Sequence, residues 1–209
     1  MTERSDAPTT DPRDAGDRPL SGVILAGGHG RRMGADKATV AVGGQQLIDI
    51  ALGVLADLTD DVVVARGDQP PLGRPGARDV PDTVADAGPL AGLVAGLEAA
   101  RHDRVVVLAV DRPRASAEVL RRCAARLDGA VDAAVPVVGG RREPLHAAYD
   151  RRARTRLRAR LGAADRSLRG ALDVLTVVEI GPEAWADVDA AGAFARNVNR
   201  PGDLDLDDG

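Results

Sequence analysis

The chain has few aromatic residues, lysines, asparagines and cysteines, and the shortages close off whole classes of function. Trp185, Tyr149 and Phe194 are its only aromatics, 1% of 209 residues. Binding of single-stranded nucleic acid by base stacking needs aromatic faces, so that mode is excluded. The core must be built from Val, Leu and Ala instead. One cysteine, Cys123, cannot form an internal disulfide. It falls on the apolar stripe of an expected helix, where a thiol serves as core filler. No apolar run approaches the ~20 residues of a membrane span. The N-terminus lacks the apolar stretch of a signal peptide, so a cytoplasmic protein is expected. A net charge of -4 argues against a broad nucleic-acid or anionic-membrane surface. It leaves room for a small basic pocket.

The scarcity of lysine and asparagine directs attention to where they stand. Of 28 basic residues, Lys37 is the only lysine, and Asn197 and Asn199 are the only asparagines. Arginine and aspartate carry the generic surface. A surviving Lys or Asn therefore suggests a specific chemical need.

The first 18 residues and the stretch 205–209 are rich in Asp and Pro and poor in apolar side chains. They are expected to be a disordered tail and a frayed acidic end around one domain over 19–204. Within it the pattern alternates. Ser21 to Leu25, Asp61 to Ala65 and Val105 to Val110 read as buried strands, the last as the central one. Gln45 to Leu58 and Gly88 to Arg101 read as helices. Ser116 is the expected N-cap of another, with Val119, Leu120 and Cys123 inward. Arg66 to Val80, opening with Gly67, Pro70, Pro71 and Gly73, reads as loop. Ala133 to Val138 and Pro144 to Tyr149 read as a hairpin around Gly139-Gly140-Arg141-Arg142. Asp150 to Leu161 and Ser167 to Leu175 read as helices, the first with a solvated basic face, and Thr176 to Ile180 as a strand. Strand–helix alternation implies an α/β sandwich around a mostly parallel, Rossmann-like sheet. Ligands of such sheets bind at the carboxyl ends of the strands.

Four segments fall where those ends should gather. Leu25 to Lys37, LAGGHGRRMGADK, follows the first strand. Its glycines let backbone N–H groups turn toward an anion, and Arg31, Arg32 and Lys37 add positive charge. A triphosphate carries about four negative charges and matches such a loop. A P-loop is excluded because no Gly-Lys pair exists in the chain. Gly28 to Gly34 is one residue too long for the common dinucleotide fingerprint, and Ala65 stands where an acidic residue would end the next strand. Asp111, in AVDRP, ends the central strand and is well placed to hold Mg²⁺ beside phosphates. Asp82 and Asp86, in PDTVADAGPLAG, can accept hydrogen bonds from a nucleoside. Asn197 and Asn199, in ARNVNRPGDL, can both donate and accept. His29 reads as solvent-exposed, His102 as a surface residue after a helix, and His146 as a strand residue able to face the cleft. No zinc-like spacing and no Ser–His–Asp order stands out.

Together these segments resemble the molybdenum cofactor guanylyltransferase family, over about Ser21 to Leu204. The carrying motifs are Leu25 to Lys37, Gly88 to Gly92, Asp111-Arg112-Pro113, Arg141 to Pro144 and Asn197 to Pro201. The resemblance implies a three-layer sandwich of the nucleotide-diphospho-sugar transferase type. It implies that GMP passes from GTP to molybdopterin with Mg²⁺ as cofactor and pyrophosphate as product. A cofactor-delivery or acceptor protein is a further expected partner, and nucleic acid and membrane are not. Leu25, Ala26, Gly27, Gly28, Arg31, Lys37, Asp82 and Asp111 are then implied nucleotide-binding residues. Arg32, Lys37 and Asp111 are implied catalytic residues, Asp111 the metal ligand, and Asn197 and Asn199 the acceptor side. Ala65 and Arg114 depart from residues common in the family. A cytidylyltransferase, another small-molecule transferase of the same fold and a non-catalytic nucleotide-binding module remain as alternatives. Gly27-Gly28 resembles the GTP-using branch.

Overall fold

Alternation along the first strand divides the molecule. In β1 (Leu20–Leu25), Leu20 and Ile24 pack into one hydrophobic cluster and Val23 and Leu25 into another. Successive side chains of a strand point to opposite faces, so both faces of this strand must be covered. The same holds for β4 (Asp61–Ala65) and β6 (Arg104–Ala109), every residue of which is buried. This computed structural model describes residues 18–27, 37–84 and 87–198. The expected tail, Arg18 excepted, and the acidic end lie outside the described residues.

The covering helices sort by cluster. α1 (Leu47–Ala56) and α3 (Ala117–Ala124) supply Leu47, Ile48, Leu55, Val119, Leu120 and Cys123 to one face. α2 (Pro89–Ala99), α4 (Arg154–Leu161) and α5 (Leu168–Leu172) supply Leu90, Leu93, Leu97, Leu157 and Leu172 to the other. The result is the expected three-layer sandwich. With β5 (Ala77–Val80), β7 (Ala133–Val138), β9 (His146–Asp150) and β10 (Val177–Ile180), the main sheet runs β10-β7-β9-β6-β1-β4-β5. β8 (Arg141–Arg142) hangs on β7. All neighbours on this path are parallel except those of β9, which runs antiparallel to both β6 and β7. β6 is the central strand, as its apolar run predicts. No helix among the described residues is long and apolar enough to cross a membrane.

α2 explains its own composition. It lies so close to β1 that a Cβ on Gly96 would stand 2.3 Å from Val23 Cγ1. A helix can approach a sheet this closely only where it offers no side chain.

Three sequence expectations need correction. Arg66 to Val80 is not all loop, for it ends in β5, which among the described residues is an edge strand paired with β4. Its four residues are all partly exposed, so no buried alternation marks them. The helix expected from Gln45 begins at Leu47, because Gln45–Gln46 (β3) turns back through Gly43-Gly44 onto Ala41–Val42 (β2). The arginine-rich stretch starts as a 3₁₀ turn, Arg151–Ala153, capped by Asp150. Its face is also less free than expected. Arg156 pairs with Asp132, Arg158 with Glu98 and Arg160 with Asp165.

At the amino ends of β1 and β4 a buried acid ties the layers together. The Asp61 carboxylate, 1% exposed, accepts from Ser21 Oγ at 2.6 Å, the Arg101 N–H at 2.9 Å and Arg78 Nη2 at 2.6 Å. Burial opposes its ionisation, but these hydrogen bonds and the Arg78 charge outweigh burial and hold the carboxyl below its ordinary range.

Candidate active site

The carboxyl ends of β1, β4 and β6 form the floor. The Ala65 carbonyl at the end of β4 accepts from the N–H groups of Ala26 and Gly27, at 2.8 and 3.0 Å. The Leu25 carbonyl accepts from Val110 at 3.0 Å. Leu25, Ala26 and Gly27 are thereby locked as backbone to both neighbouring strands. Gly27 has a packing reason as well: a Cβ there would lie 2.7 Å from the Gly67 nitrogen.

Asp82 overlooks this floor. Its N–H donates to the Gly67 carbonyl at 3.2 Å, and its carboxylate stands over Gly67 and Gly92. Oδ1 is buried with no hydrogen-bond partner among the described residues. Burial raises the carboxyl pKa above the ordinary range. An acceptor held this way suits an N–H or O–H of a ligand better than another charge.

The charged centre is an ion pair. Lys37, opening the 3₁₀ turn Lys37–Thr39, meets Asp111 with Nζ 2.7 Å from Oδ2. The two side chains are 22% and 19% exposed. The sole lysine and the acid after the central strand are 74 positions apart in sequence, and the fold brings them into contact. Asn197 joins the same edge. It is exposed, but the next residue, Val198, donates its N–H to the Asp111 carbonyl at 2.8 Å. Gly28, His29, Arg31, Arg32, Asp86 and Asn199 lie outside the described residues.

A family model described as the MobA-like NTP transferase domain matches residues 22–179. The chain belongs to this family. It is 40% identical over 157 residues to the molybdenum cofactor guanylyltransferase of Pseudomonas putida, covering 74% of this chain and 82% of that protein. It is 33% identical over 193 residues to a protein of Chloroflexus aggregans named "probable molybdenum cofactor guanylyltransferase", covering 90% and 92%. Among solved structures it is similar to molybdopterin-guanine dinucleotide biosynthesis protein A from Archaeoglobus fulgidus. That match has a TM-score of 0.77 at 28% identity, over 88% of this chain and 95% of the other. A 2-C-methyl-D-erythritol 4-phosphate cytidylyltransferase from Thermus thermophilus shares the fold at a TM-score of 0.58 and 26% identity, over 88% and 95%. The nucleotide-diphospho-sugar transferase type of fold expected from the motifs is the one found.

For this MobA-like domain one histidine expectation changes. His146 does not face a cleft. It is fully buried, its Nε2 accepts from the Ser116 N–H at 3.2 Å, and its ring meets Phe194 edge-on at 4.7 Å between centroids. Burial, then the Arg112 charge, push its pKa down to about 3. It is neutral at any working pH and structural. The sign of its linkage follows: the folded form resists protonation, so stability is lost as pH falls from the ordinary 6.5 toward about 3. The melting temperature of the wild type should drop through that window, and that of His146→Gln should drop less. Equal slopes would remove His146 as the cause. His102 follows α2 at the surface as expected, where its ring bonds the exposed Asp60 at 2.9 Å.

Sequence reasoning also missed a pairing. Arg112, inside the Asp-x-Pro motif, bonds Glu143 of the Arg-x-x-Pro-like element at 2.6 Å. Both residues were visible in motifs, but nothing in the spacing joined them. Glu143 also lines a cleft of about 700 Å³ with Arg141, Arg142, Pro144, Arg169 and Glu179.

Proposed function

We propose that the protein transfers GMP from GTP to molybdopterin and releases pyrophosphate, giving the guanine dinucleotide form of the molybdenum cofactor. The observation that carries this reading is the Lys37–Asp111 pair, 2.7 Å apart. The relatives named for the same activity support it. Leu25, Ala26 and Gly27 hold the nucleotide through backbone groups, and Asp82 accepts from its nucleoside. Lys37, with Arg31 and Arg32 of the loop, neutralises the triphosphate, and Gly28 allows its close approach. Asn197 and Asn199 are the residues of the acceptor side.

The reaction asks little covalent chemistry of the protein. An oxygen of the molybdopterin terminal phosphate bonds to the α-phosphorus of GTP, and the bond from that phosphorus to the bridging oxygen breaks. The electron pair leaves with pyrophosphate. The attacking oxygen is already anionic, so no strong general base is required. The work is alignment and charge neutralisation. A neutral, buried His146 is consistent with that.

Asp111 is also the residue that would hold Mg²⁺. The donor chemistry fits: Asp111 offers one partly exposed carboxylate, and among the described residues no group of three or more His, Cys, Asp or Glu lies together. Mg²⁺ keeps waters and binds through one or two carboxylates plus substrate phosphates. When bound it supplies charge neutralisation on the phosphates. The reaction belongs in the cytoplasm, where GTP is available, with a second protein delivering or receiving the cofactor.

The test is pyrophosphate release from GTP and molybdopterin with Mg²⁺, together with thermal shift by GTP and by CTP. GTP should raise the melting temperature and be consumed. Stabilisation by CTP and not GTP would overturn the guanylyl assignment. GTP binding without pyrophosphate release would point to a non-catalytic module.

A further inference from the structure

We infer that Arg112 is a positioning residue that keeps the acceptor side of the site in register with Asp111. The inference rests on the transferase reading above. Arg112 follows Asp111 directly, yet its side chain turns away from the nucleotide half. Its side chain is 10% exposed, and the guanidinium spans two elements. Nη2 donates to Glu143 Oε2 at 2.6 Å, and Nη1 donates to the Ala195 carbonyl at 2.8 Å. Glu143 is 16% exposed and belongs to the connection between β8 and β9, where its own N–H donates to the Pro136 carbonyl at 2.8 Å.

The terminal segment is thus pinned at two points by consecutive residues. Ala195 is held by the Arg112 side chain, and Val198 by the Asp111 carbonyl. Asn197 lies between those pins and is exposed. Its position beside Asp111 is therefore set by Arg112 and Asp111. The same guanidinium anchors Glu143, and with it one wall of the 700 Å³ cleft. One side chain thereby sets the distance from Asp111 both to Asn197 and to the cleft. A planar fork suits this role, because two of its N–H groups can be satisfied in different directions at fixed spacing. Lysine, a point charge on a flexible stem, cannot hold both partners in one geometry. A largely buried charge pair also has few alternative arrangements, which makes it a stiff link.

The experiment compares wild type, Arg112→Lys, Glu143→Gln and the double variant. For each, the KM for molybdopterin, kcat, the calorimetric Kd for GTP with Mg²⁺ and the melting temperature are measured. Arg112→Lys should lower kcat/KM for molybdopterin roughly 10- to 100-fold, as expected for misalignment of a reacting group. The Kd for GTP should stay at the wild-type value. Glu143→Gln should act in the same direction, and the double variant should be little worse than the worse single one, since both break one link. A merely structural role would lower the melting temperature and weaken GTP binding in parallel, and that result would overturn the inference. Additive effects or an unchanged kcat/KM for molybdopterin would also overturn it. Should Arg112→Lys fail to fold, Glu143→Gln, which keeps shape and volume, decides alone. A wild type that transfers nothing to molybdopterin would remove the parent reading and this inference together.

Discussion

Lys37→Ala is expected to cut kcat/KM for GMP transfer by about 10²- to 10³-fold while the melting temperature moves by only a few degrees. The size is that of removing one preorganised positive donor from developing phosphate charge. The small stability effect follows from exposure. Lys37 and Asp111 are about a fifth exposed, so each keeps some contact with water, and losing the pair costs on the order of 1–2 kcal/mol, less than the roughly 3–5 kcal/mol of a fully buried pair. The variant therefore separates function from folding more cleanly than a change at Asp111, whose carbonyl also anchors Val198. Lys37→Arg should restore part of the loss, since it returns the charge with a different reach. Steady-state pyrophosphate release and a melting curve on the same preparations check both halves. Normal release by Lys37→Ala would take Lys37 out of the mechanism.

Asp61→Ala should be the most damaging change to the fold, on the order of 3 kcal/mol or roughly 6–12 °C in melting temperature. Removing the carboxylate leaves the Ser21 hydroxyl, the Arg101 N–H and the Arg78 guanidinium short of an acceptor at a site that is 1% exposed. Arg78 is itself 40% exposed and can turn to water, which keeps the loss at the lower end for a broken buried pair. The pH dependence is directional. The folded carboxyl titrates below its ordinary 3.8, so its stabilisation is complete above that value and is lost as pH falls through the folded value. Wild type and variant should converge in acid. This window lies below most of the one assigned to His146, so melting curves at several pH values tell the two apart. The adjacent Asp60, 80% exposed, serves as the control, with an expected effect within about 0.5 kcal/mol. Equal losses at both positions would sink the argument.

Much of the site was legible because strand ends are legible. A buried apolar run ends where its composition changes, and a carboxyl-end ligand site follows from the parallel sheet. That reasoning placed Ala26 to Lys37, Asp82 and Asp111 as candidates near one edge, and the structure brings Lys37 and Asp111 of that set into contact. It failed at β5, whose residues are half-exposed at a sheet edge and carry no period, and at His146. Alternation along β9 says only that His146 lies on one of two faces. Both faces of β9 are covered, and His146 is sealed on its own face by Phe194 and the N-terminus of α3, both distant in sequence.

The sequence by itself determined the class of fold and the identity of the charged groups. Period and composition are local, and a lone lysine or a paired asparagine is visible on inspection. Only the tertiary structure decided which of those groups meet. Lys37 touches Asp111 across 74 positions, and Arg112 joins Glu143 across 31. Such contacts arise because the strand order β9-β6-β1 sets distant segments side by side at one edge of the sheet, and strand order is not written in any one segment.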